Sequence, residues 1–313
     1  MAHLIETMAY ANETPWHGLG NQLSAKSPIS VWAKQAGMEW QIQESPVYFM
    51  PSEGATHVPF EEQKVLYRSD TGAALAVVSQ RFQVVQPRDV LEFYRDLTKA
   101  HGFTLETAGV LKGGRKVWAL AKTNMSANIK GNDTMNGYLL LATGCDGTLA
   151  TTAQFTSIRV VCNNTLAIAL KDGNAAVKVP HSTTFDPKAV KGQLGLSSAS
   201  WDEFIYQMKK LSERKVKSTE AEAFVSALLT DPAAKFTNER AVKKVLELYS
   251  GHGRGAELAS SKGTAFGLLN AVTEFVDHER RARSTDYRLD SAWFGMGANL
   301  KNEAFDQAIS LIS

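Results

Sequence analysis

The side chains of this 313-residue sequence that could do chemistry are two cysteines, seven histidines and several clusters of lysine and arginine. Cys145 and Cys162 lie too far apart for a C-x-x-C pair, and two thiols do not make a disulfide framework. Cys162 falls in Arg159-Val160-Val161-Cys162-Asn163-Asn164-Thr165-Leu166, at an expected strand end. A nucleophile on a strand-to-helix corner needs flanking glycines, as in the G-x-S-x-G elbow, and they are missing. A small buried thiol is the alternative reading. The histidines show no H-x-x-x-H or Cys/His metal spacing. Asp277-His278-Glu279 sets three ligand types side by side, but adjacent helix residues point apart, so the run reads as a solvated helix face. Gly18-Leu19-Gly20, Gly113-Gly114 and Gly251-His252-Gly253-Arg254-Gly255 match neither phosphate-binding fingerprint. No catalytic centre, metal or cofactor is expected.

The basic residues carry a stronger signal. Between His101 and Gly131 stand Lys112, Arg115, Lys116, Lys122 and Lys130 against one acid, Glu106. Lys112, Arg115 and Lys116 surround a glycine-bearing hairpin tip, which could grip a phosphate backbone while Trp118 stacks on a base. Solubility alone also places lysines at such tips. Lys209, Lys210, Arg214, Lys215 and Lys217 form a second cluster, and Arg280, Arg281 and Arg283 a third. Both read as solvated helix ends that suit the helix dipole. Arg159, in a short apolar strand beside Asn163 and Asn164, reads either as a phosphate contact or as a buried structural ion pair.

Alternating patterns and turn residues indicate what positions these groups. Antiparallel hairpins are expected around Ser69-Asp70-Thr71-Gly72, Lys112-Gly113-Gly114 and Gly144-Cys145-Asp146-Gly147, because Gly supplies the positive φ that tight turns need. A strand is expected from Trp40 to Phe49, a helix from Ile29 to Ala36, and a helix from near Pro87 to Gly102. Ile158 to Val161 reads as a short strand, followed by a helix Thr165 to Leu170 capped by Asn163 or Asn164. Residues 1–28 read as an irregular arm. Beyond about residue 195 the period changes to helical. Ser200 with Glu203, and Thr219 with Glu222, read as capping boxes, each cap worth about 1 kcal/mol. Further helices are expected over Asn238 to Ser250, Ala265 to Arg281 and Asn302 to Ile312. The expected fold is α+β: a strand-rich domain over residues 1–195 and a helical region over residues 196–313.

Composition bounds the function. With 44% hydrophobic and 21% charged residues the sequence is that of a globular protein. A net charge of +2 implies that any affinity for a polyanion comes from a local patch or from patches aligned across subunits. No signal peptide or membrane span is legible, and Tyr138 to Ala142 is far shorter than the roughly 20 residues a span needs. A cytoplasmic protein of a bacterial host cell is expected.

Several segments together carry a family likeness. They are Val84-Val85-Gln86, Glu106-Thr107-Ala108-Gly109, Gly113-Gly114-Arg115-Lys116-Val117-Trp118 and Asp146-Gly147-Thr148, then Arg159-Val160-Val161-Cys162-Asn163-Asn164-Thr165-Leu166 and Asn270-Ala271-Val272-Thr273-Glu274-Phe275-Val276-Asp277-His278. The sequence resembles the phage/plasmid-like protein family, domain of unknown function 932, which implies a gene carried by phages, prophages or plasmids and brings no established catalytic residues to carry over. The order of strands, helices and basic hairpins is also similar to phage single-strand annealing proteins, a likeness of architecture alone. The function these readings favour is binding of single-stranded DNA by a homo-oligomer that promotes strand annealing in recombination, with possible phage or host recombination proteins as partners. Lys112, Arg115, Lys116 and Arg159 would contact phosphates, Asn163 and Asn164 would donate hydrogen bonds, and Trp118 would stack. The alternatives are a non-DNA interaction protein, such as a phage-encoded modulator of host defence or replication, and a metal-dependent nuclease using dispersed carboxylates such as Asp146.

Overall fold

A computed structural model describes residues 8–11, 20–24, 26–54, 56–159, 165–168, 176–194, 198–231, 233 and 236–313. The first half is strand-rich. It contains β1 (Met8–Ala11), β2 (Asn21–Leu23), α1 (Ile29–Gln35), β3 (Ile42–Phe49), β4 (Val58–Arg68), β5 (Ala74–Ser79) and α2 (Pro87–His101). Then follow β6 (Thr104–Leu111), β7 (Lys116–Asn128), β8 (Thr134–Gly144), β9 (Thr151–Arg159), β10 (Thr165–Ala167) and β11 (Val177–Val179). Helices dominate afterwards: α3 (Pro187–Leu194), α4 (Ser198–Glu213) and α5 (Ser218–Leu228), then the short pair β12 (Thr230–Asp231) and β13 (Phe236–Thr237). The chain ends with α6 (Glu239–Glu247), α7 (Ala265–Glu274), α8 (Thr285–Phe294) and α9 (Met296–Ile309). The protein is α+β.

The principal sheet has the order β10-β9-β8-β7-β6-β1-β2, with β11 also pairing with β9, and β3-β4-β5 form a separate antiparallel sheet. The chain forms two compact units. The first comprises residues 1–124, 139–154 and 176–195, the second residues 125–138, 155–175 and 196–313. Because the chain crosses between them repeatedly, a single boundary along the sequence does not describe the division.

In the first unit the expected hairpins form where glycine permits the turn. Gly72 takes φ 67° between β4 and β5, and Gly114 takes φ 106° between β6 and β7. The apolar face of α2, with Val90, Leu91, Phe93, Tyr94 and Leu97, is buried as its helical spacing requires. At its start the Asp89 carboxylate accepts the Gln86 N–H at 3.0 Å, and the Gln86 side chain exchanges hydrogen bonds with both backbone groups of Ile42. The Tyr94 hydroxyl lies 2.7 Å from the Ala119 carbonyl and 3.0 Å from that of Leu139, so helix and sheet share a polar tie inside the core.

In the second unit Trp201, Phe204, Ile205, Met208 and Leu211 form the buried face of α4, again as spaced in the sequence. All ten residues of α7 are buried. Gly267 permits this, since a Cβ there would meet the Ser261 carbonyl oxygen. Among the described residues no helix is long and apolar enough to cross a membrane.

Several local expectations are overturned. Residues 8–11 and 21–23, inside the supposed irregular arm, are the parallel pair β1 and β2. Thr165 does not begin a helix. Thr165–Ala167 pairs antiparallel with residues 156–158 of β9, and the hydrogen bonds of the sheet prevail over the local helix signal. The capping asparagines, Asn163 and Asn164, lie outside the described residues. Ser200 stands inside α4, which already begins at Ser198. Helix α5 begins at Ser218, where Glu220, not Glu222, accepts the backbone N–H of Lys217 at 2.9 Å. The Asn238 cap does form, its side chain accepting from Ala241 at 3.2 Å. Helices α3 and α8 had no counterpart among the expected elements.

Replacing Tyr94 by Phe leaves both carbonyls without the shared buried donor. Tyr94→Phe is expected to lower unfolding free energy by about 1–2 kcal/mol in urea titrations monitored by circular dichroism.

Candidate functional site

The β6–β7 hairpin holds four of the residues expected to meet nucleic acid, Lys112 and Arg115 at its turn and Lys116 and Trp118 in β7. The segment Lys112–Gly114 forms a single 3-10 turn with Lys112 at φ 54° and Gly113 at φ 68°. The turn is fixed from below. Arg68 lies 4.4 Å over the Trp40 ring, is paired with Asp70 at 2.7 Å and reaches the Gly113 carbonyl. The backbone N–H of Cys145 donates to the Arg115 carbonyl at 2.9 Å. Arg68 also holds the Asp70 carboxyl below its ordinary range by hydrogen bonding to it. Arg115 is exposed and Lys112 half-buried, whereas Lys116 is buried and Trp118 is 0% exposed. A stacking platform requires an open ring face, and that of Trp118 is covered. Burial pushes the Cys145 thiol up to about 12, so it is a packing group and not a thiolate nucleophile. Cys162 lies outside the described residues.

Arg159, in the second unit, is 1% exposed. Its Nε and Nη2 donate to the two oxygens of Asp133 at 2.7 and 2.6 Å, a bidentate pair, and Nη2 also reaches Ser261 Oγ at 2.8 Å. Its guanidinium carbon stands 5.0 Å over the Phe266 ring, and Ser260 Oγ donates to Asp133. The reading of Arg159 as a phosphate contact thus gives way to its alternative, the structural ion pair. The guanidinium is enclosed and its charge is met by a carboxylate.

A second buried pair lies in the same unit. Lys301 Nζ donates to Asp277 at 2.8 Å and to Thr165 Oγ1 at 2.6 Å, and Thr165 donates its own N–H to Asp277 at 2.7 Å. Asp277 therefore does not belong to a solvated face. Glu274 is also enclosed, accepting the Arg254 N–H at both oxygens, and burial raises its pKa above 4.5. The glycine run 251–255 is consequently a fixed loop, held by Glu274 and by Arg159, whose Nη2 lies 3.3 Å from the Gly255 carbonyl.

The other two clusters are among the cations that face solvent in this unit. On α4, Tyr206, Lys209 and Lys210 follow i, i+3, i+4 spacing and share the face opposite the buried one. Tyr206 is 56% exposed, with Lys210 Nζ 5.6 Å from its ring centroid. Lys215 and Lys217 are exposed just beyond. Arg214 is structural, paired with Glu220 at 2.7 Å and donating to the Leu311 carbonyl. The third cluster repeats the arrangement with arginine: Arg281 and Arg283 are exposed, and Arg283 lies 5.9 Å over the ring of Tyr287, which is 40% exposed. Both clusters thus lie at solvated helix ends, as their sequence indicates, and each also sets an exposed tyrosine beside a cation. The missed signal was a tyrosine one helical turn from a cation.

The second unit also contains a cleft of about 900 Å³, lined by Glu222, Glu239, Glu247 and Glu257 with Lys243 and Lys262 among others. Glu239, Lys243 and Glu247 recur at i, i+4, i+8 on α6, a stripe that was legible in the sequence. Among the described residues no group of three or more histidine, cysteine or carboxylate side chains could hold a metal ion.

Fold and site together define an α+β protein whose helical unit is built around buried ion pairs and presents cations beside exposed tyrosines. The chain belongs to the family described as a domain of unknown function (DUF932), which matches residues 74–293. A search of the curated proteins finds no match. Within the matched region, Arg159, Thr165, Asn270, Thr273, Glu274 and Asp277, from the segments that carry the family likeness, are all buried in the second unit. These residues belong to its interior.

Removing one member of a buried pair strands a charge. Arg159→Met and Asp133→Leu are each expected to destabilise by about 3–5 kcal/mol, and the double replacement by distinctly less than their sum, in a denaturant double-mutant cycle. Because the Glu274 pKa is raised by folding, its contribution to stability is complete below 4.5 and is lost as pH rises through the raised value. Glu274→Gln is expected to flatten the stability profile in that interval, measured as urea midpoint against pH.

Proposed function

We propose that this protein binds single-stranded DNA and, as an oligomer encoded by a phage or other mobile element, promotes strand annealing. The observation that carries this reading is the pairing of an exposed tyrosine with solvent-facing lysines on α4 and its continuation, Tyr206 with Lys209, Lys210, Lys215 and Lys217. Single strands are held without sequence preference by this combination. Cations follow the phosphates, and an open aromatic ring stacks on bases of any identity. Lysine suits the phosphate role because its compact charge sits on a flexible stem and need not match one fixed geometry. Annealing requires neither nucleotide hydrolysis nor a nucleophile, so the reading asks for no chemistry beyond this face. Arg115 and Lys112, on the turn of the first unit, are further cations that a strand could meet.

Fluorescence anisotropy with a labelled oligothymidine, titrated at rising salt, tests the proposal. Affinity is expected to fall log-linearly with salt. Lys209→Gln with Lys210→Gln should reduce the slope by about 1.4, roughly 0.7 for each phosphate that is no longer neutralised. Tyr206→Ala is expected to weaken binding by about 1–3 kcal/mol, roughly 5- to 150-fold. Wild-type protein should also accelerate pairing of complementary oligonucleotides without nucleotide or metal. Absence of binding at low salt, or binding unaffected by all three substitutions, overturns the reading.

A further inference from the structure

The sheet β3-β4-β5 is uneven, because β5 pairs with β4 only from Gln63 to Tyr67. Beyond that point β3 and β4 continue together, with Tyr48 opposite Pro59 and Phe49 opposite Val58. Residues 47–49 and 58–62 thus form a two-stranded ribbon reaching past the edge of β5. Its large apolar side chains face solvent: Tyr48, Phe49, Met50, Val58 and Phe60 are all exposed, and Phe49 and Phe60 meet edge to face at 6.4 Å. A lone two-stranded ribbon is marginally stable in water, and one with this much exposed aromatic surface is an interaction element. Its charge has a single sign. Residues 47–63 contain Glu53, Glu61 and Glu62 and neither lysine nor arginine, and all three carboxylates are exposed.

These properties select the occupant and the mode of contact. Pairing of two ribbons with each other would set carboxylates against carboxylates. Addition of a foreign strand is obstructed by Pro46 in β3 and Pro59 in β4, which donate no ladder hydrogen bond. Contact through side chains with a basic, aromatic surface remains, and the protein carries one with interface chemistry. Arg281, Arg283 and Tyr287 offer arginine and tyrosine, residues enriched in protein interfaces, whereas lysine, which dominates the α4 face, is depleted there. Arginine also matches carboxylates in a planar fork.

We infer that the β3–β4 ribbon of one copy docks on the Arg281–Arg283–Tyr287 face of a second copy. Because the two surfaces differ, the contact either closes reciprocally in a two-fold dimer or propagates head to tail into a ring or a filament. It supplies the oligomer that strand annealing requires, yet stands without DNA and leaves the lysine-rich α4 face open.

The test is sedimentation velocity of the full chain, without nucleic acid, across protein and salt concentrations. The wild type is expected to self-associate at low salt and to dissociate as salt rises. Glu61→Arg with Glu62→Arg, or Arg281→Glu with Arg283→Glu, should each weaken association by roughly a hundredfold or more, because like charges then face each other. All four positions are exposed, and circular dichroism verifies that each variant is folded. Mixing the two variants restores the complementary pairs, so mixed assemblies are expected to return. A wild type that stays monomeric at every concentration, assemblies indifferent to both reversals, or failure of the mixed variants to reassemble overturns the inference. A protein that assembles as expected but fails to bind oligothymidine refutes the DNA reading alone.

Discussion

Burying a guanidinium and a carboxylate together removes two ions from water at a cost of several kcal/mol each, recovered only if every hydrogen-bonding position is filled in good geometry. The Arg159–Asp133 pair meets that condition by drawing its partners from three separate segments. Asp133 precedes β8, Arg159 ends β9, and Ser260, Ser261 and the Gly255 carbonyl come from the loop before α7. None can shift far without exposing a charge to an apolar interior. The position of that loop, and with it the entry of α7 into the centre of the helical unit, follows from satisfying one ion pair. Asp277, Lys301 and Thr165 apply the same constraint to β10, the turn after α7 and α9.

This arrangement separates the charges of the protein into two populations. Inside, Arg159 with Asp133 and Lys301 with Asp277 neutralise each other and fix the fold. Those outside are interspersed, with surface pairs such as Lys262–Glu257 and Lys210–Glu213, but include local patches: carboxylates on the β3–β4 ribbon, and cations beside Tyr206 and Tyr287. A net charge of +2 conceals these patches. Electrostatic partners are recognised by local fields, not by the sum, so a net charge near zero does not set what a local patch attracts.

Local chemistry made much of the fold legible. The hairpin turns at Gly72 and Gly114 formed because only glycine takes their positive φ without strain, and the α2 and α4 faces were buried because their apolar residues recur at helical spacing. Helix starts were less legible, since capping boxes are short patterns that recur inside helices, as Ser200 with Glu203 does in α4. The strand Thr165–Ala167 was hidden for a different reason. Its partners are β9 in the sheet and Asp277, 112 residues away, and neither acts through local propensity.

The sequence by itself determined the α+β class, the hairpins, the apolar helix faces and the presence of three basic clusters, because each depends on residues within a few positions of one another. Only the tertiary structure decided which cations face water. Arg159 was claimed by a carboxylate 26 residues away and a hydroxyl 102 residues away, while Lys209 and Lys210 were left on the open side of α4. A charged side chain carries no local mark of its partner, and burial is a property of what the rest of the chain places around it.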